Sequence, residues 1–140
     1  MKISIGADHR GYSLKKVIIE HFRHYEWLDV GTDSDQRTDF PIFAKRVCEN
    51  IRQGTADCGV LLCGTGNGIA IAANRYKGIY AAVAWNDEIA RLAKEHDNAN
   101  VLVLPAAYLE PREAFAILDT WLQARFQGGR YQKRLAMIDE

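Results

Sequence analysis

Residues 58–74 read Cys58-Gly-Val-Leu-Leu-Cys63-Gly-Thr-Gly-Asn-Gly68-Ile-Ala-Ile-Ala-Ala-Asn74. The first six are apolar without alternation, as expected of a strand covered on both faces. Gly64 to Gly68 make a glycine-rich turn, and the stretch from Ile69 continues as a helix. Strand, tight turn and helix in direct succession form the repeating unit of a parallel sheet with crossover helices.

The same alternation extends in both directions. Upstream, Lys2–Gly6 reads as a strand. Ser13 is placed to cap a helix with Leu14, Val17, Ile18 and Phe22 on its apolar face. Trp27–Val30 is a second strand ending at Gly31, and Thr32–Asp39 is a polar loop. Pro41 opens a helix running through Phe43, Val47 and Ile51. Downstream, Ile79–Trp85 reads as a fourth strand, and Asn86 or Asp87 caps a helix reaching about His96. Val101–Leu104 is a fifth strand stopped by Pro105; Pro111–Phe126 is a helix with Phe115, Leu118, Trp121 and Leu122 on one face. Gly128-Gly129 then precedes a basic tail. The pattern predicts one α/β domain over residues 1–140. Its core is a five-stranded parallel sheet, doubly wound in the Rossmann-like manner, followed by a C-terminal helical tail.

Composition narrows the function. The 140 residues carry 18 Lys+Arg and 18 Asp+Glu, a formal charge of zero, with 48% hydrophobic residues. A general nucleic-acid or anionic-membrane binder normally shows a basic excess, so neither partner is expected. Cys48, Cys58 and Cys63 are odd in number and match no zinc framework. The apolar run after Lys2 stops at Asp8, short of a signal sequence, and Gly59–Asn74 is too short and too polar to span a bilayer. A reducing cytoplasm is the expected compartment.

Open parallel sheets bind ligands beyond the carboxyl ends of their strands. Those ends here deliver Ala7-Asp8-His9, the 31–39 loop, Cys63-Gly-Thr-Gly-Asn-Gly68 and Trp85-Asn86-Asp87. The glycine turn lacks the Lys-Ser/Thr ending of a P-loop, and Ile69 stands where a dinucleotide fingerprint needs its third glycine. It serves either as an anion-binding nest or as a tight turn that needs positive φ. Cys63, at the last position of the buried strand, faces the next helix N-terminus, where N–H groups favour a thiolate; the alternative is a small buried hydrophobe. Cys48 and Cys58 take that second reading. Asp8-His9 can handle hydroxyl protons but is weak evidence alone. His96 has the alternative of simply facing a helix C-terminus. His21 and His24 have no third ligand in view, which argues against a metal site. Arg130 and Arg134 share a helical face within an acid-free segment, which suits either phosphate or a solvated charged face.

Taken together, Gly6-Ala-Asp-His-Arg-Gly11, Arg37-Thr-Asp-Phe-Pro41, Cys63–Gly68, Ala72-Ala-Asn74, Glu95-His-Asp-Asn-Ala-Asn-Val-Leu102 and Gly128-Gly-Arg-Tyr-Gln-Lys-Arg134 resemble the type B ribose-5-phosphate isomerases. That family also includes the galactose-6-phosphate isomerase subunits. The resemblance runs from Lys2 to about Ile138 and implies cofactor-free interconversion of an aldose phosphate and its ketose through an enediolate. It implies Cys63 as the base, and Thr65 with the N–H groups of Gly64, Gly66, Asn67 and Gly68 as oxyanion donors. Asp8 and His96 would open the furanose ring, with Asp97 beside the substrate, and His9, Arg130 and Arg134 would hold the phosphate. It further implies a homodimer or tetramer in which two subunits share the site.

Four positions depart from the family pattern. Ala107 stands where an arginine is usual, Asp97 replaces an asparagine, Phe40 a tyrosine and Tyr131 a histidine. They motivate two further readings: the same chemistry on another tetrose, pentose or hexose phosphate, or a non-catalytic sugar-phosphate-binding subunit.

Overall fold

A computed structural model describes all residues, 1–140. The strands are β1 (Lys2–Ala7), β2 (Glu26–Asp29), β3 (Cys58–Cys63), β4 (Ala81–Val83) and β5 (Val101–Pro105). The helices are α1 (Tyr12–His21), α2 (Phe40–Arg52), α3 (Asn67–Ala73), α4 (Asp87–Asp97), α5 (Pro111–Gln123) and α6 (Arg130–Ile138). The five strands form one parallel sheet in the order β2-β1-β3-β5-β4. Helices cover both faces. On one, α1, α4 and α5 pack with Ile18, Ala90, Leu118 and Trp121 over Ile5, Val60 and Leu102. On the other, α2 and α3 close over Leu61, Cys63, Val101 and Val103. The expected doubly wound architecture is what the chain adopts. No helix is long and apolar enough to cross a membrane.

The helix starts follow from local chemistry. Pro41 lies in the first turn of α2, where its missing N–H costs nothing. Asn86 caps α4 by accepting the Ile89 N–H at 2.8 Å. Ser13 does not cap α1, which already begins at Tyr12 after Gly11. The turn before it is held instead by Asp8, whose Oδ1 accepts the N–H groups of Arg10 and Gly11 at 2.9 and 3.1 Å.

Three expectations about elements need correction. Val17 is 40% exposed and off the buried face of α1; Lys15 is there instead, 1% exposed. Its ammonium reaches Asp29 at 2.6 Å, and this ion pair makes the burial tolerable. The fourth strand is three residues, not seven, because β4 is outermost and pairs only with β5. Its free edge is closed by Asn74, whose side-chain amide both donates to Ala81 O and accepts from Ala81 N–H, each at 2.8 Å. Helix α5 stops at Gln123 rather than Phe126. Gln127 then turns toward α4, its backbone N–H donating to Glu95 O at 3.0 Å, which ties the start of the tail to the end of that helix.

Candidate active site

Strand order reverses between β1 and β3: β2 lies to one side, β5 and β4 to the other. At such a switch point the flanking loops part and leave a crevice beyond the carboxyl ends. The residues that follow these two strands are Asp8-His9 and Cys63-Gly64. Because Ala7 pairs with Leu62, Asp8 and Cys63 are lateral neighbours, and Asp8 N–H donates to Leu62 O at 3.2 Å.

Cys63 is 5% exposed, at the top of the core between β3 and α3. The turn above it winds through Gly66, whose φ of +82° belongs to the left-handed region that glycine adopts without strain. A Cβ at Gly66 would also press on Val103 Cγ1 at 3.1 Å. The outcome of this turn is a set of open donors. The N–H groups of Gly64, Thr65, Gly66, Gly68 and Ile69 bond to nothing within the chain, and only that of Asn67 is used, by Thr65 Oγ1 at 3.2 Å. The positive φ at Gly66 is the one the tight turn needs, and the turn leaves these N–H groups open. Helix α3 has only seven residues, so these open N–H groups, rather than a long dipole, are what the site offers.

Asp8 is buried, with Oδ1 committed to the following turn. His9 is fixed by a reciprocal pair with Thr38: His9 N–H donates to Thr38 Oγ1 at 3.1 Å, and Thr38 N–H donates to His9 Nδ1 at 3.2 Å. Since Nδ1 accepts, Nε2 is the nitrogen left to donate outward. Thr38 was not singled out from the sequence; its place in a polar loop gave no sign that it orients His9. Phe40 stands against the first turn of α3, where a Cβ on Gly68 would meet its ring at 2.8 Å.

His96 and Asp97 lie elsewhere. Helix α4 leaves the carboxyl end of β4 and returns to the amino end of β5, so its last turn sits at the opposite edge of the sheet from Cys63. Pro105 pairs beside Cys63 and Val101 lies four residues earlier, a separation of about 13 Å at the usual strand rise. The tail joins His96 at that far edge. His96 stacks on Tyr131 with ring centroids 4.2 Å apart and planes 11° from parallel. Arg130 and Arg134 lie against the same tyrosine ring, their guanidinium carbons 4.9 and 5.7 Å from its centroid. Tyr131, seen in the sequence only as a departure, is thus the platform for this cationic group. A cleft of about 690 Å³ borders it, lined by Tyr80, Asp97, Leu135 and Asp139 among others. Within one chain the expected site residues form two groups, with Asp8, His9, Cys63 and the 64–68 turn at one edge and His96, Asp97, Arg130 and Arg134 at the other.

The remaining thiols are of a different kind. Burial pushes Cys48 up to about 12 and Cys58 up to about 11, so both stay protonated near neutral pH. Alkylation with iodoacetamide at pH 8, mapped by peptide mass, should modify Cys63 first and abolish activity. Cys48 and Cys58 should react only on unfolding. Equal labelling of Cys58 in the folded protein would contradict this ordering.

The fold and this edge of the sheet define a class: doubly wound α/β proteins whose switch point sets a thiol beneath open peptide donors, an arrangement suited to moving a proton beside a developing oxyanion. The chain belongs to the Ribose/Galactose Isomerase family, whose profile matches residues 3–138. Among its relatives, ribose-5-phosphate isomerase B of Escherichia coli (strain K12) is 42% identical over 139 residues, spanning 98% of this chain and 93% of the relative. The structure of Clostridium thermocellum ribose-5-phosphate isomerase B superposes with a TM-score of 0.97 at 45% identity, covering 99% of this chain and 95% of that one. The Mycoplasma genitalium enzyme, solved with bound ribulose-5-phosphate, gives 0.93 at 40% identity, covering 99% and 93%.

Proposed function

We propose that this protein is an aldose–ketose isomerase interconverting ribose 5-phosphate and ribulose 5-phosphate, working as one domain over residues 1–140 in the cytoplasm. The observation that carries this reading is Cys63 beneath five open peptide N–H groups at the switch point. The names of the Escherichia coli and Mycoplasma genitalium relatives, and the ribulose-5-phosphate bound to the latter, support the substrate.

The chemistry follows from the arrangement. With the sugar open, the Cys63 thiolate takes the proton from C2. The C2–H electrons form the C1=C2 bond, and the C1 carbonyl pair moves onto oxygen. Thr65 and the N–H groups of the turn hold that oxyanion, a type of contact that typically contributes ~3 kcal/mol per donor. The thiol, whose proton exchanges with solvent while the enediolate persists, delivers a proton to C1, and the O2 proton passes to O1, leaving the C2 ketone beside a C1 hydroxyl. No electrons leave the substrate, so the step balances without a redox cofactor. Ring opening precedes this: Asp8 accepts the anomeric hydroxyl proton and His96 donates one to the ring oxygen. His9, Arg130 and Arg134 hold the phosphate.

Because His96, Asp97, Arg130 and Arg134 sit at the far edge of their own sheet, they serve the Cys63 of a second copy. The working unit is therefore a dimer, or a tetramer of such dimers. The test is a steady-state comparison of ribose 5-phosphate with tetrose, other pentose and hexose phosphates. The highest kcat/KM is expected for ribose 5-phosphate. A higher value for another sugar phosphate would move the substrate while keeping the chemistry, and stoichiometric binding without turnover would make the chain a binding subunit.

A further inference from the structure

A guanidinium lies over the glycine turn with no partner. The Asp8–Gly11 turn is pressed onto β3: a Cβ at Gly11 would fall 2.6 Å from Leu62 Cβ and 2.9 Å from Leu62 O. Asp8 Oδ1 holds the Arg10 and Gly11 N–H groups, so the backbone from which the Arg10 side chain departs is fixed. That side chain runs across to Gly64, the residue after Cys63, where a Cβ would fall on the guanidinium carbon itself. Only glycine at 64 leaves room for this placement.

Arg10 is exposed, and its guanidinium makes no hydrogen bond or ion pair with any group of the chain. A guanidinium presents five N–H donors in a planar fork and no acceptor, which suits an oxyanion with two oxygens to offer. On the same turn, His9 keeps Nε2 as a donor because Thr38 occupies Nδ1. The other side of Gly64 is approached by the 3₁₀ turn Ala106–Tyr108, whose Ala107 N–H donates to Gly64 O at 3.0 Å. Positions 10 and 107 therefore flank one peptide, and in this chain the cation stands at 10 and a methyl group at 107.

We propose that Arg10, beside His9, binds the phosphate of the substrate and so sets the preference for phosphorylated sugars. This rests on the isomerase reading above. The developing oxyanion at C1 already faces the open N–H groups of the turn, whereas the phosphate is the permanent dianion of the substrate and needs a cation on this side of the crevice.

The test compares wild type, Arg10→Ala and the double variant Arg10→Ala with Ala107→Arg. The readouts are KM and kcat for ribose 5-phosphate and the inhibition constant of inorganic phosphate. Arg10→Ala should raise KM and weaken phosphate inhibition together, each by about tenfold or more, with kcat changed little. Adding Ala107→Arg should recover most of that loss, which a purely structural role for Arg10 would not allow. Unchanged KM and inhibition constant would overturn the proposal, as would a fall in kcat at constant KM, which would place Arg10 on the enediolate instead. If wild type turns over no ribose 5-phosphate, the isomerase reading falls by itself. Calorimetric titration of wild type and Arg10→Ala with inorganic phosphate then decides the role of Arg10 separately: weaker binding by the variant supports it, and equal binding overturns it.

Discussion

Subunits carrying Cys63→Ala, mixed and refolded with subunits carrying His96→Ala, will regain activity that neither variant has alone. The reason is topological. Helix α4 runs antiparallel to the strands, so His96 is returned to the amino edge of the sheet while Cys63 remains at the carboxyl edge. No side-chain rotation closes a gap of about 13 Å along the strands. On the proposed reading, each site of a two-fold dimer takes its thiol from one subunit and its histidine from the other. On that reading a Cys63→Ala homodimer would lack the proposed base in both sites, and a His96→Ala homodimer would lack the proposed ring-opening acid in both. The hybrid has one site with neither group and one with both. Random assembly makes half the dimers hybrids with one working site each, so recovery should approach about a quarter of wild-type activity. Hybrid dimers confirmed by native mass spectrometry but inactive would show that the two groups do not meet across an interface.

The second large effect is expected at Cys63 itself. Cys63→Ala should lower kcat by about a thousandfold or more, the usual scale for removing a positioned base, and change KM little. The fold should persist, since exchanging one buried sulfur for a methyl hydrogen in an otherwise intact core costs on the order of 1 kcal/mol. Cys63→Ser keeps a polar hydrogen-bearing atom at this position but offers no base near neutral pH, so it should resemble Cys63→Ala rather than wild type. Thermal unfolding of both variants, measured alongside, separates lost chemistry from lost structure.

Much of the fold could be read from residue patterns because the signals were local. The unbroken apolar run of Cys58–Cys63, followed by Gly64, has few readings other than a strand covered on both faces, and the structure buries all six residues. Pro41 and Asn86 open helices by mechanisms that involve only their immediate neighbours. Misreadings arose where a distant partner decides the outcome. Lys15 looks solvent-facing until Asp29, fourteen residues on, supplies the counter-charge that lets it replace Val17 on the buried face. The short β4 depends on its lying outermost, with β5 inserted between it and β3, an order that periodicity does not carry.

The site shows the same division. Cys63, Asp8 and the glycine turn follow directly after strands of a doubly wound sheet, where ligand sites are expected. Thr38 and Tyr131 acquire their significance only from what they touch, and Arg10, one of two arginines able to replace the one absent at 107, is placed only by the structure. Thr38 orients His9, Tyr131 carries His96 and two arginines, and Arg10 lies over Gly64, which has no side chain to displace it. The separation of His96 from Cys63 depends on the direction of α4, and it becomes visible only when strand order and register are known.

The proposed role of Cys63 is to move the proton between C1 and C2. It is tested most directly by following ribose 5-phosphate in D₂O by NMR, with wild type and Cys63→Ala in parallel. Wild type should form ribulose 5-phosphate with solvent deuterium entering at C1 of the ketose and at C2 of the recovered aldose, while folded Cys63→Ala does neither. Turnover or deuterium exchange by folded Cys63→Ala at the wild-type rate would contradict it.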